Sequence, residues 1–428
     1  MLMLRKPPPI LFFLMLVSWG CKKEKDTSGP SIEILSPVAG TSIIVPDTLA
    51  VSLHVSDDHV VRNVWISLAD DNGVPIAPTI HVNVDAASAH IERALIISNE
   101  NITSGNYSLA VRASDGTNSN SAFRSMMVLG APLRLRSIFA IPENGGNILR
   151  IDSLGTVSTY LNVPWITNAT VNSFSQELFV VGGDFDPLRI IHINEGTETH
   201  VQNSNAGSGP FFTNIHTDER DQRTYVSSRD GQIRAYRGGN SPVFNASSPL
   251  DQVPFAAGKI GERLVSEQLI PGLQQRELVN FTYANGILLN ELQCDLDVIA
   301  INEISPMEAL LFGDRDGAGI IQTRNVEAGG GSDLREFAEG PIHAVARISD
   351  DLFALTLPTR VIRYDRSSNS AITIYNGATA DLAFDEANGT LLIAAGQQIL
   401  VIDPFTASIS TIIDLPITVK KVLPLFNR

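Results

Sequence analysis

Apolar residues between Leu49 and Val55 fall on every second position, as Leu49, Val51, Leu53 and Val55, with polar residues between them. That period of two is the signature of a strand with one buried face. Similar short runs recur over 31–35, 49–57, 61–70, 80–84, 90–97, 107–115 and 123–129, separated by turns rich in Gly, Pro, Asn and Asp. No stretch of comparable length carries a helical period. The spacing of about 10–15 residues between turns is that of a sandwich of short strands.

Beyond residue 130 the pattern becomes a repeat. A short apolar phrase ends in a turn residue seven times: at Asp152, Asn194, Arg237, Thr282, Arg324, Asp365 and Asp403, so that successive copies lie 42, 43, 45, 42, 41 and 38 residues apart. One companion strand precedes each copy, in the series SIFAIPE, ELFVVGG, RTYVSSR, ERLVSEQ, EALLFGD, DLFALTL and TLLIAAG. A further series precedes that one, as NATVNSF, FTNIHTD, FAAGKIG, VIAINEI, IHAVARI and DLAFDEA, and lacks one member, for the first repeat. The segment VKKVLPLF (419–426) has the right pattern and no repeat of its own. It is expected to complete the first repeat and close a ring, leaving no unpaired sheet edge. A period near 40 residues with strands alone predicts a seven-bladed β-propeller. The fold class expected is therefore all-β, an Ig-like β-sandwich at 31–130 followed by a propeller at 131–428.

Two resemblances add to this. SPVAG, SDDHVVRNV and SGNYSLAVRASDG resemble the Ig-like modules of bacterial surface proteins, without the Cys and Trp pin of antibody domains. The ILVID…FTASISTI tail of DLAFDEANGTLLIAAGQQILVIDPFTASISTII resembles the YVTN-type and quinoprotein-like propeller repeats, families that mix enzymes with non-catalytic binders.

The first 21 residues, MLMLRKPPPILFFLMLVSWGC, join a basic start to an apolar run from Ile10 to Val17. The run is short for a membrane span and suits a signal peptide. Ser18-Trp19-Gly20-Cys21 resembles a bacterial lipobox, which implies cleavage after residue 20, acylation of Cys21 (diacylglycerol and palmitate) and anchoring in the cell envelope, in the outer membrane. Residues 21–30 then form a flexible tether. A formal charge of −15 without a dense basic run excludes nucleic acid as a partner. The other cysteine, Cys294, reads as a small strand residue with no basic neighbour to make it reactive.

Candidate chemistry is sparse. Propeller ligands meet the loops that follow the second strand of each blade, and these loops carry Asp184, Asp186, Arg229, Asp230, Asp314, Arg315 and Asp316. The two Asp-x-Asp pairs with neighbouring arginines could grip a cation or a sugar, and they equally suit Asp/Gly turns. Asp57, Asp58, Asp70, Asp71 and Asp115 pose the same choice for calcium in the first unit. Eight scattered histidines make no zinc motif, there is no Gly-x-Ser-x-Gly elbow, and neither metal nor cofactor is expected. The expected function is a non-catalytic binding or interaction module for a protein or glycan ligand, held at the membrane by its lipid. A lactonase-like propeller hydrolase or lyase, and a structural subunit of an envelope complex, remain the alternatives.

Overall fold

The computed structural model describes residues 26–70, 73–100, 102–143, 145–201, 203 and 209–427. The expected signal peptide and Cys21 lie outside the described residues. Secondary structure among the described residues is entirely β, and no helix is long and apolar enough to cross a membrane. The chain forms two compact units that meet in sequence between Ala131 and Pro132.

In the first unit six strands share one hydrogen-bonded network, in the order Ser31–Ser36, Asp47–Ala69, Gly105–Ser114, Ser119–Leu129, Thr41–Ile44, with Ile80–Ile97 also paired to Asp47–Ala69. The runs 49–57 and 61–70, expected as separate strands, are one strand here, and so are 80–84 and 90–97. The reason is a change of phase. Buried positions run Leu49, Val51, Leu53, Val55 and then Val61, Val64, Ile66, Leu68. Register shifts between Ser56 and Asn63 absorb the extra residues, so the bulge keeps one apolar face continuous where a turn would have broken it. Thr41–Ile44, too short to stand out in the sequence, pairs parallel with Ser119–Leu129.

Among the described residues the second unit forms seven four-stranded antiparallel sheets. Sheet two shows the plan: Asn168–Asn172, Glu177–Val181, Leu188–His192 and Thr197–Val201 pair in chain order. Sheets three to seven repeat it, starting at Phe212, Val253, Asp297, Ala344 and Asp381. Sheet one is assembled from both ends of the unit. Val419–Phe426 pairs antiparallel with Leu135–Pro142, Val422 opposite Ala140, and Gly146–Asp152 and Val157–Val163 follow. First strands of successive sheets touch in a cycle that returns from sheet seven to sheet one and on to sheet two. This is the ring of a β-propeller.

Packing explains the repeat pattern. Every residue of Glu177–Val181 is buried, because a second strand has a neighbouring sheet on each face. Leu178 and Val180 pack with Phe139 and Ile141 of sheet one, while Phe179 and Val181 pack with Phe212 and Val226 of sheet three. Comparable clusters fill the other inter-sheet spaces, Leu311 against Val265 and Leu391 against Val361 among them. Outer strands face solvent, and Ile409–Asp414 is exposed almost throughout.

Candidate functional site

The innermost strands carry a polar arc. Fifth positions of the second-strand segments are Ile141, Val181, Ser227 and Ala394 in sheets one, two, three and seven, and their partners on the first strands are Lys421, Asn168, Asn214 and Asp381. The equivalent partners in sheets four, five and six are Ala257, Ala300 and Val345. Four polar side chains thus occupy one tier on four consecutive sheets. Lys421 Nζ donates to Asn168 Oδ1 at 2.8 Å, and Asn168 Nδ2 donates to Asn214 Oδ1 at 3.4 Å. Asp381 Oδ2 accepts the Val422 amide at 2.9 Å. Burial pushes the Asp381 carboxyl up to about 6, with Lys421 pulling the other way, and burial likewise holds the Lys421 ammonium below its ordinary range. One tier along the strand stands His216, solvent-reachable but hemmed in by protein, and this desolvation lowers its pKa.

A second cluster lies where the first strands of sheets three to five turn. Tyr283 Oη donates to Asp221 Oδ2 at 2.9 Å, and Tyr225 Oη donates to the same oxygen at 2.5 Å. Lys259 Nζ sits 4.2 Å and the Arg223 guanidinium 4.4 Å from the Tyr283 ring centre. Desolvation raises the Asp221 pKa, and the two hydroxyl donors oppose it. Asp218, Arg220, Asp221, Lys259 and Glu303 line a cavity of about 110 Å³. That is well below the roughly 300 Å³ at which small-molecule pockets begin. Asp218 is already held by the Arg220 amide and guanidinium and Asp221 by the two tyrosine hydroxyls, while Glu303 and Lys259 have no ion-pair partner among the described residues.

The loop residues singled out in the sequence occupy turns. Asp186 Oδ2 accepts the Gly183 amide at 2.8 Å and lies so close over Gly182 that a Cβ there would meet it at 2.4 Å. Asp184 Oδ2 accepts the Gly209 amide at 2.9 Å, and the Arg229 guanidinium lies beside Gly209 while donating to the Pro210 carbonyl at 2.7 Å. The structure therefore brings Asp184, Asp186 and Arg229 together, across sheets two and three. Asp230 Oδ1 accepts from Ser228 Oγ at 2.5 Å, and its Oδ2 pairs with Arg234 at 3.1 Å. Asp314, Arg315 and Asp316 belong to sheet five, apart from that group. Arg315 forks onto Asp333 and reaches Asp295 Oδ2 at 2.7 Å, while Asp314 Oδ1 accepts the Gly317 amide at 3.3 Å and Asp316 takes a positive φ of 54°. Two exposed aromatics stand at the first group. Trp165, 56% exposed, rests against Gly183, and Phe185, 72% exposed, lies between Asp184 and Asp186.

The acids of the first unit divide. Asp57, Asp58, His59 and Asp26 each bring a ligand atom within 4.8 Å of the others. Asp115 caps the amides of Thr117 and Asn118, and Asp70 Oδ1 caps the Val74 amide at 2.8 Å. Cys294 is half-buried, and burial pushes its thiol up to about 11, away from reactivity.

No protein-family model matches the chain, and no curated protein matches its sequence. Similar solved structures include a quinoprotein alcohol dehydrogenase-like protein from Bacteroides thetaiotaomicron (11% identity, TM-score 0.44, covering 94% of this chain and 100% of that one). A chain in a mitotic checkpoint complex is also similar (10% identity, TM-score 0.48, 68% and 86%), as is one in a nidogen/laminin complex (10% identity, TM-score 0.43, 68% and 99%). Likeness at this level leaves function to the residues of this chain.

Proposed function

We propose that this chain is a lipid-anchored protein of the bacterial cell envelope, tethered in the outer membrane through Cys21, whose Ig-like module carries a seven-bladed propeller that binds a protein or glycan without transforming it. The observation that carries the binding role is the loop-face group at sheets two and three. Trp165 and Phe185 present large exposed aromatic surface beside Asp184, Asp186 and Arg229, the mixture of aromatic and Arg side chains that dominates interface energetics. A hydrolase or lyase is poorly served by the cavity that Asp218, Arg220, Asp221, Lys259 and Glu303 line. At about 110 Å³ it is small for an envelope polymer unit, and Asp218 is held by Arg220 and Asp221 by two tyrosines, which leaves Glu303 as its one carboxylate without a partner among the described residues.

Two measurements test the proposal. Cells expressing the chain are labelled with an alkyne palmitate analogue; the membrane fraction should carry the label, and Cys21→Ala should abolish both labelling and membrane retention. An unlabelled wild type removes the anchor. A photo-crosslinking amino acid at position 185 should trap a discrete adduct that Trp165→Ala diminishes, with position 250, at the 90% exposed Leu250, as the control. Equal trapping at both positions removes the binding face.

A further inference from the structure

On the outer face of the first unit's sheet, four residues form a single cross-strand row. His81, Trp65, Arg112 and Ser121 stand opposite one another on Ile80–Ile97, Asp47–Ala69, Gly105–Ser114 and Ser119–Leu129. The next row brings Ser67, Ala110 and Phe123 together. Because Ser67 and Ala110 are small, the surface sinks between the larger side chains. Trp65, Ser67, Ala110, Val111, Arg112 and Ser121 line a cavity of about 330 Å³ that is open to solvent. We infer that this depression is a binding site for an acidic saccharide, a sugar ring bearing a carboxylate.

The chemistry of the lining selects that class. Trp65 is held in place by His81, whose ring stacks on it at 5.3 Å and 23°, and His81 Nε2 is in turn fixed 3.0 Å from Asn63 Oδ1. A braced indole offers an apolar surface at low entropic cost, suited to the C–H face of a sugar ring. The Arg112 guanidinium lies 5.7 Å from the Trp65 ring centre and donates to Ser119 Oγ at 3.2 Å. Among the described residues no carboxylate pairs with it, in a chain whose formal charge is −15. A planar cation without an acid beside an aromatic ring is arranged for a carboxylate taken in from solvent. Ser67 and Ser121 supply hydroxyls at strand spacing for the remaining sugar oxygens.

The alternative occupant, an extended peptide, is poorly served. Strand addition requires an unpaired sheet edge, whereas Asp47–Ala69 and Gly105–Ser114 are paired on both sides at this row. Only side chains face the ligand, and a volume of about 330 Å³ matches one or two sugar residues at the low end of small-ligand pockets.

Titration calorimetry of the full chain with a galacturonate trisaccharide tests the inference, with its methyl-esterified form as the neutral counterpart. Saturable binding is expected, weakened at least tenfold by methyl esterification and by Arg112→Met, which changes an exposed side chain and should leave the thermal transition in place. Trp65→Ala should abolish binding, and Arg366→Met, on a turn of sheet six where the guanidinium is paired with Asp351, should leave it unchanged. Absence of saturable binding at millimolar galacturonate, or binding indifferent to both Arg112→Met and esterification, overturns the inference. Since the site lies wholly within the first unit, neither result bears on crosslinking at position 185.

Discussion

Asp381 shows how position along a strand decides what a carboxylate does. The acids at Asp152, Asp365 and Asp403 close turns by accepting hydrogen bonds, chiefly the Ser367 hydroxyl at Asp365 and backbone amides at Asp152 and Asp403, and those bonds draw their pKa values down. Asp381 also accepts an amide, but on the innermost strand, where 9% exposure leaves it desolvated and its carboxyl rises from 3.8 to about 6. Its folded pKa exceeds its unfolded one, so between about pH 4 and pH 6 the folded ring holds the proton that the unfolded chain has released. The stabilisation is full below 3.8 and is lost as pH rises through 6, about 3 kcal/mol across that window. Asp381→Asn keeps an acceptor for Val422 and removes the titration. Thermal melts from pH 4 to pH 7 should show the ring's transition falling less steeply in the variant; parallel slopes would place Asp381 elsewhere than in a desolvated site. The arc it belongs to was hidden in the sequence. Asp381, Lys421, Asn168 and Asn214 differ in chemistry and lie at unequal spacings, so only the pairing register reveals them as one tier. The Asp-x-Asp pairs stood out for the opposite reason, since turn chemistry favours acids whether or not a ligand is near.

Among the strands, legibility followed burial. The second and third strands of each sheet are packed on both faces, so their apolar phrases recur with little drift, and all seven turn-anchored phrases fall on third strands. Fourth strands face solvent and drift more from sheet to sheet: Ile409–Asp414 overlaps the legible FTASISTI phrase, whereas Gly331–Phe337 carries no pattern of its own. In the first unit the bulge near Asp57 and Asp58 mimicked a turn, because Asp serves both. Val419–Phe426 is the strand on which the ring depends most. It buries Val419, Val422, Leu423, Leu425 and Phe426, and it reaches sheet two through Lys421 to Asn168, Lys420 Nζ to the Thr167 carbonyl at 2.7 Å and Gln176 Nε2 to the Phe426 carbonyl at 2.7 Å. At about 2 kcal/mol for each buried side chain the apolar loss alone is on the order of 10 kcal/mol, comparable to the whole stability of a typical domain. Deletion of residues 419–428 should therefore abolish the ring's cooperative melt by circular dichroism. A truncated chain that melts like the full one would show that the remaining strands close without it.

The molecule as a whole joins two units with separate cores. The first gathers Leu53, Val64, Ile66, Leu68, Leu109 and Val111 into one cluster, while the second distributes its apolar residues over the spaces between successive sheets. No residue of the first cluster recurs in the others, so each unit has the buried apolar surface to fold by itself. The segment between them, Gly130-Ala131-Pro132, carries small residues and a proline, the composition of a boundary. Calorimetry should accordingly resolve two unfolding transitions, and limited proteolysis near residues 130–132 should release a C-terminal fragment that keeps the ring's melting temperature. Asp381→Asn and the 419–428 deletion should then move only the ring's transition, whereas Val64→Ala, which opens a cavity in the first core, should lower only the other. A single transition that both kinds of variant shift together would mean that the two cores unfold as one cooperative body.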